Sequence, residues 1–493
     1  MKQKLIHLLK TKQWYLLLLP LFFVLHGFAE NYGIVPLKDA VLLFLFYTGV
    51  ALVLAGIFWL FFRDFTKAAF LSFIVLFIQF FFGSLQDLLR KEFSNSLISR
   101  YSFILPAIIV LFTIAVIMIR KKKSFPQLPL FLNYLFLLFI FFDAVQLFLK
   151  PLPSENKTAA TQLQFTNCET CIKSDVYLIV ADGYSGKTAL QDLFNYDNSR
   201  FEQQLTAKGF FIVDSSISNY NYTPFSISSM LKMDYLQGIV GNNTNLNDIA
   251  ICYNSIKESN TLRFFKTNGY DLYNYSIFDF KDQASRAKAT FLLRQTKPIM
   301  SQTFTSRISK ELFYHLVTDL KLDFAIEQTA YSDKENNELL YELTQKVVSK
   351  NERPKFVYTH LVLPHFPYYY DSTGKEYSLE TIQSDSHKVD QQAYVSYLKY
   401  SNKLLLQLID HIQVNSAKPP VIVLISDHGF REFDKPVPEK YHYNNINAVY
   451  FPNGNYQSFY KGMSSINEFR VLLNNCFRQN LPLLRDSTSF IIE

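Results

Sequence analysis

A bundle of five membrane-spanning helices followed by an α/β domain, with a mostly parallel central sheet flanked by helices, is the fold class this sequence predicts. Three observations predict it. The first 150 of the 493 residues are dominated by Leu, Phe, Ile and Val, whereas the remainder has the mixed composition of a globular domain. Within that first part, five apolar stretches follow one another with basic residues between them. In the remainder, short β-favouring apolar runs alternate with helical patterns, which signals a sheet covered on both faces.

A spanning helix needs roughly 20 apolar residues to cross about 30 Å of hydrocarbon. Residues 14 to 33, 40 to 62, 67 to 88, 101 to 119 and 128 to 149 qualify. A cleavable signal peptide accounts for one such segment, not for five in succession. Lys2, Lys4, Lys10 and Lys12 precede the first span, Arg63 and Lys67 separate the second from the third, and the run Arg120 to Lys123 separates the fourth from the fifth. These regions share one side, and the positive-inside tendency makes it cytoplasmic. The opposite loops hold only Lys38, Arg90, Lys91 and Arg100. An odd number of spans then puts everything after Lys150 outside the cytoplasm, as the extracytoplasmic part of a multi-pass protein of the cytoplasmic membrane. The net charge of +7 partly reflects this bias. No basic cluster interleaved with aromatics follows the spans, so nucleic acid is not an expected partner.

Residues 151–173, with Pro151, Pro153, Ser154 and several threonines, read as a linker leaving the membrane. Residues 174–493 are long enough to bury a core of their own. Four cysteines occur, and Cys168 and Cys171 form a lone C-x-x-C ahead of the first strand. A structural zinc site wants a second pair nearby. A local disulfide and longer-range pairing both stay open, since spacing does not determine connectivity. Val176 to Ala181, Phe356 to Val362, Val421 to Ile425 and Ile446 to Phe451 are apolar runs typical of buried strands. Tyr394, Val395, Leu398, Leu405, Leu408, Ile409 and Ile412 recur at helical spacing, which predicts a helix with one face on the sheet.

Polar residues at four places in this domain carry the chemistry. Asp182 ends DVYLIVAD; it suits a metal ligand or the cap of a following helix. Thr223 lies in NYNYTPFSISSM with Ser226, Ser228 and Ser229. A threonine hydroxyl is a poor nucleophile near neutrality and needs a metal or a base beside it. The plainer reading makes Thr223 the N-cap and Pro224 the first residue of a helix, and a helix N-terminus also favours phosphate. Asp427 and His428 in VIVLISDHGF follow four β-favouring residues and precede a glycine, so both can project from a strand-end turn. Carboxylate and imidazole together suit a zinc-like or manganese-like cation. With Asp182 and Thr223 they make four donors, enough for a tetrahedral site. His365, between Pro364 and Pro367, and His442 are placed to hydrogen-bond phosphoryl oxygens or to protonate a leaving group, or else to hold a second metal. His360 reads as a core histidine.

Together DVYLIVADGYS, YTPFSISSM, LPHFPY and ISDHG resemble the successive motifs of the sulfatase-like branch of the alkaline phosphatase superfamily. Five spans followed by one such domain resemble the architecture of lipoteichoic acid synthases and lipid A phosphoethanolamine transferases. The resemblance implies that Asp182, Thr223, Asp427 and His428 hold one divalent metal, zinc or manganese with magnesium as a further option. It implies Thr223 as nucleophile and His365 and His442 as contacts of the transferred group. It also implies a phospholipid donor and an envelope lipid or glycan acceptor. Two departures bear on this. The transferases usually have glutamate where Asp182 stands, and Thr223-Pro224-Phe225-Ser226-Ile227 lacks both the modifiable Cys or Ser and the arginine of a sulfatase. The expected function is therefore phospho-group transfer through a phosphothreonine. The alternatives are a phosphodiesterase or phosphatase of the same fold, and a non-catalytic membrane binding protein.

Overall fold

The computed structural model describes residues 10–93, 96–122, 125, 127–149, 163–166, 168, 171–237, 239, 246–288, 296–309, 331–350 and 352–492. The chain forms two compact units, one of residues 1–153 and 292–322, the other of residues 154–291 and 323–493. Most of the linker expected over residues 151–173 lies outside the described residues.

The first unit contains α1 (Tyr15–Glu30), α2 (Leu37–Phe62), α3 (Phe65–Glu92), α4 (Tyr101–Lys121) and α5 (Leu128–Leu149). Four of these are long and apolar enough to cross a membrane, and α1 is a shorter apolar helix of 16 residues. At 1.5 Å per residue α1 reaches about 24 Å, short of a full span. It stops at Glu30, not at residue 33, and Asn31 closes it as C-cap, its side-chain Nδ2 joining its backbone N–H on the Gly27 carbonyl. Large side chains such as Phe61 (80 %) and Phe148 (90 %) face outward, an arrangement suited to lipid and costly in water. The helices form a membrane domain.

Two polar links join α1 to α5. The buried Asn133 side chain accepts from the Tyr15 N–H at 2.6 Å and donates to the Lys12 carbonyl at 2.8 Å. About three turns on, His26 Nδ1 meets Asp143 Oδ1 at 3.1 Å. Both links advance in the same direction along the two helices, from Tyr15 to His26 and from Asn133 to Asp143, which makes them parallel, as expected of a first and a fifth span. A second feature was not legible in sequence order, since residues 296–309 belong to this unit although they lie far downstream. The Gln302 carbonyl accepts from the Gly83 N–H at 2.9 Å, and Arg307 grips Asp87 with both terminal nitrogens at 3.0 and 2.7 Å. A side chain at position 83 would place its Cβ 2.5 Å from that carbonyl oxygen, so only glycine allows the approach.

In the second unit a six-stranded mixed sheet runs in the order β2-β6-β5-β1-β4-β3. Its strands are β1 (Val176–Ala181), β2 (Phe211–Ile212), β3 (Asp271–Tyr275), β4 (Lys355–Leu361), β5 (Val421–Ile425) and β6 (Asn447–Tyr450). The central β1 runs parallel to β4 and β5, and β3 parallel to β4; β6 is antiparallel to β5 and to β2. Both faces of β1, β4 and β5 are buried, as their unbroken apolar runs require. Register brings Ala181 level with Leu361 and Val180 level with Ile425, so these three strands end together. Three helices matter below: α6 (Thr223–Lys232), α7 (Ser332–Val348) and α8 (Gln391–Asn415). The predicted helical stripe lies on α8, with Tyr394, Leu398, Leu405, Leu408, Ile409 and Ile412 buried. Cys168 and Cys171 form the local disulfide, leaving Cys252 and Cys476 as thiols.

At the opposite ends of the same strands, the buried Lys355 ammonium sits 2.6 Å from Asp175 Oδ2 and 2.6 Å from the Lys350 carbonyl. Asp175 also accepts from the Lys355 N–H at 3.1 Å, tying the starts of β1 and β4. Removing one member leaves an uncompensated buried charge, so Asp175→Ala is expected to cost about 3–5 kcal/mol. Denaturant unfolding would measure it, and pairing Asp175→Leu with Lys355→Met should restore most of the loss. Equal stabilities for Asp175→Ala and the parent would disprove the account.

Candidate metal centre

Because β1, β4 and β5 end level, the residues just beyond them share one crevice, where open α/β sheets place their ligands. Asp182 follows β1 and is 5 % exposed. Its N–H donates to the Leu361 carbonyl at 3.0 Å and its carbonyl accepts from the His365 N–H at 3.1 Å, which couples it to the loop after β4. The chain then turns through Gly183 at φ +67°, where a Cβ would stand 3.2 Å from the His365 ring. Asp427 and His428, 1 % and 0 % exposed, follow β5. The Gly183 N–H donates to Asp427 Oδ1 at 3.2 Å and so links the two turns.

Thr223 opens α6 directly after the extended Tyr222, with Pro224 at the start of the helix where its missing N–H costs nothing. Its hydroxyl does not cap the helix, as the plainer sequence reading has it. It lies 3.2 Å from His428 Nε2 instead. Every residue of α6 is buried, and Ser226 Oγ donates to the Asp427 carbonyl at 2.6 Å, which fastens this helix to the turn after β5.

The four donors of the expected metal set meet at His428. Its Nε2 is 3.5 Å from Asp182 Oδ1, 3.4 Å from Asp427 Oδ2 and 3.2 Å from Thr223 Oγ1. His428 Nδ1 lies 2.7 Å from the Gly429 carbonyl, which can only accept. The proton therefore sits on Nδ1, and Nε2 presents its lone pair to the cluster. Burial pushes the His428 imidazole down, Asp427 pulls it up and Arg431 pushes it down again, with a net lowering that favours the neutral ligand form. For Asp182, burial pushes the carboxyl up, but the electrostatic interaction with His365, the hydrogen bond from His360 and the interaction with His428 outweigh it and hold the group well below the usual carboxylate range. Asp182 Oδ1 and Asp427 Oδ2 are buried with no hydrogen-bond partner among the described residues. Two bare carboxylate oxygens aimed at one imidazole lone pair are costly as they stand and well matched to a divalent cation. The donor set fits such an ion.

His365 and His442 flank this cluster differently. His365 is half-buried, its Nδ1 lies 2.5 Å from the Phe366 carbonyl, and its ring is 6.1 Å from that of His428. Asp182, His365 and His428 each bring one ligand atom within a mutual 4.8 Å, and so do Asp182, His360 and Asp427. His442 belongs to neither trio. It stands between the edges of Phe433 at 5.5 Å and Phe490 at 5.4 Å, its Nδ1 buried without a hydrogen-bond partner among the described residues. Burial, then Arg431 and His428, push its imidazole down.

His360 lies in the core, as the sequence reading has it, and also touches the cluster. It is fully buried, and its Nε2 lies 3.2 Å from Asp182 Oδ2. The Tyr358 hydroxyl, 2.8 Å from His360 Nδ1, donates there and leaves Nε2–H for the carboxylate. An imidazole inside the apolar run FVYTHLVL needs a buried partner, and that was the available signal. Asp333 on the first turn of α7 was not singled out from the sequence; burial pushes its carboxyl up, His365 pulls it down and Asp182 pushes it up.

Because His360 orients Asp182, His360→Ala is expected to weaken zinc or manganese binding by about 10–100-fold. Tyr358→Phe should act in the same direction with a smaller effect. Competition against a chelating indicator reads both, and unchanged affinity in His360→Ala would remove His360 from the centre.

The family model described as sulfatase matches residues 174–469. Among solved structures, the chain resembles the zinc complex of the C-terminal periplasmic domain of EcEptC from Escherichia coli, at 12 % identity over 63 % of this chain and 84 % of that one, with a TM-score of 0.39. It also resembles the integral membrane lipooligosaccharide phosphoethanolamine transferase A (EptA) from Neisseria meningitidis, at 13 % identity over 93 % and 95 %, with a TM-score of 0.37. The phosphonate monoester hydrolase of Agrobacterium radiobacter matches at 12 % identity over 62 % and 74 %, with a TM-score of 0.40. Among curated proteins, none matches the chain.

Proposed function

The chain belongs to the sulfatase family, and from that premise we propose that it is a membrane-anchored, metal-dependent transferase that moves a phospholipid head group, of the phosphoethanolamine or phosphoglycerol class, to an envelope lipid or glycan. The observation that carries this reading is the Thr223 hydroxyl held 3.2 Å from His428 Nε2 where two bare carboxylate oxygens converge. A threonine here lacks the Cys or Ser that sulfatases convert, which turns the family's chemistry from sulfate to phosphorus.

Asp182, Thr223, Asp427 and His428 would hold the metal. Zinc and manganese suit this mixed oxygen and nitrogen set, with magnesium as a further option. When bound, the cation supplies Lewis acidity that lowers the pKa of the Thr223 hydroxyl. Thr223 Oγ, its proton already lost to solvent before each cycle, attacks the phosphorus of the donor lipid, the bond to the diacylglycerol oxygen breaks, and a phosphothreonine ester remains. His365 or His442 gives the departing oxygen its proton. The acceptor hydroxyl then attacks phosphorus, releases the Thr223 oxygen and returns a proton to the same imidazole. Over the two halves, one proton passes from acceptor to diacylglycerol and the protein ends as it began. The lysine and arginine distribution around the spans supports a site outside the cytoplasm, and a membrane anchor keeps it near insoluble donors at high effective concentration. Water in place of the acceptor gives a hydrolase; Asp182, where the transferases usually have glutamate, favours keeping that second reading.

The test uses the full chain, loaded with zinc or manganese, in vesicles of head-group-labelled phospholipid. A labelled adduct on Thr223 is expected by mass spectrometry, and Thr223→Ala should lose turnover by roughly three orders of magnitude or more. Full turnover in Thr223→Ala would reject the mechanism. Label on an added glycan or lipid acceptor identifies transfer, and label free in solution identifies hydrolysis.

A further inference from the structure

We propose that Phe490 is a positioning residue for the His442 imidazole, and that the strap carrying it, residues 487–491, sets this imidazole and Thr223 from one short segment of chain. The inference rests on the phosphotransfer reading above, in which His442 carries a proton. The His442 carbonyl accepts from the Gly429 N–H at 2.8 Å, which ties its backbone to the turn holding His428. The buried Nδ1 has no hydrogen-bond partner among the described residues, so packing sets the tilt of the ring. Two aromatic walls of different origin supply that packing. Phe433 lies against the core, its ring 4.8 Å from Phe430, which is in turn 4.5 Å from Tyr394 on α8. Phe490, half-buried, meets the imidazole edge-on at 5.4 Å from the other side, on a segment that is neither helix nor strand.

What holds that segment is the approach to the nucleophile. Asn221, 4 % exposed and two residues before Thr223, bonds the Ile491 backbone twice: its Nδ2 donates to the carbonyl at 3.0 Å and its Oδ1 accepts from the N–H at 2.7 Å. The buried Asn219 donates from Nδ2 to the Ser487 carbonyl at 2.9 Å, and its own carbonyl accepts from the Ser489 N–H at 2.9 Å. At the root of the strap, Asp486 accepts from the Ser464 N–H and the Tyr460 hydroxyl, both at 2.8 Å. Ser489 and Ile491, on either side of Phe490, are thus both pinned to the segment leading into Thr223. A proton carrier acts only within hydrogen-bond reach of the reacting oxygen, and a displacement of about 1 Å costs on the order of a hundredfold in rate. Mounting both groups from residues 219–223 keeps that distance constant.

The test is a double-substitution cycle on the zinc-loaded full chain in vesicles of head-group-labelled phosphatidylethanolamine and phosphatidylglycerol, with turnover read as label leaving the lipid. His442→Ala is expected to lower kcat roughly a hundredfold or more. Phe490→Ala should lower it about tenfold, with KM for the lipid, zinc content and melting temperature unchanged. Phe490→Leu keeps an apolar wall and should recover most of that loss. In the His442→Ala background, Phe490→Ala should cost nothing further, because its effect runs through the imidazole. Apart from turnover, diethyl pyrocarbonate should modify His442 several-fold faster in Phe490→Ala than in the parent, with His411 on α8 as the internal reference. The proposal is overturned by equal losses from Phe490→Ala in both backgrounds, by full turnover in either single variant, or by an unchanged rate of His442 modification. A loss that follows zinc content or melting temperature and is not recovered in Phe490→Leu overturns it too. Each of these outcomes leaves the phosphothreonine reading standing when Thr223 of the parent is labelled. A parent that never labels Thr223 sinks that reading, and this proposal with it.

Discussion

Two carboxylates buried against one neutral imidazole are the constraint on which the second unit is built. Asp182 and Asp427 each spend one oxygen on the protein and leave the other bare. Burying such oxygens without a counter-charge is unfavourable by several kcal/mol. The surroundings lower that cost by exact placement of hydrogen bonds: the Gly183 N–H and His360 each hold a carboxylate, and the Gly429 carbonyl sets the tautomer of His428. What is left is a cation-shaped deficit. Stability and chemistry therefore depend on the same four side chains.

Rigidity follows from how the donors are mounted. Three of them sit on turns just past strands whose ends are level, and the fourth opens a wholly buried helix tied to one of those turns through Ser226. No donor rides on a long surface loop. A centre held this way needs little rearrangement to bind metal, and pre-organisation is where much of electrostatic catalysis comes from. The aromatic side chains contribute at the rim, where Tyr222, Phe433 and Phe490 hold Arg431 and His442.

The first unit obeys different physics. Its helices turn large apolar side chains outward and keep their polar contacts inside, as in the Asn133 and His26–Asp143 links. In hydrocarbon such contacts supply modest energy, about 0.6–2 kcal/mol each, but they set which helices pair and in what direction. Residues 296–309 join the unit by polar means as well, through Arg307 and the close approach at Gly83.

Much of this was legible in the residues, because the signals concerned are local. Length and apolarity of a span, an unbroken β-branched run, the stripe on α8 and the strand-end motifs all follow from neighbours in the chain. Thr223, Asp427, His428 and Asp182 could be singled out because each ends or begins such an element. What sequence did not determine is which long-range partners those side chains meet. His360 looked like core alone until β4 was set beside β1, Thr223 looked like a cap until α6 was set against His428, and residues 296–309 looked like part of the outer domain until they packed against α3. Those outcomes depend on strand order, register and helix docking, which are summed over contacts hundreds of residues apart and leave no trace in any one window of sequence.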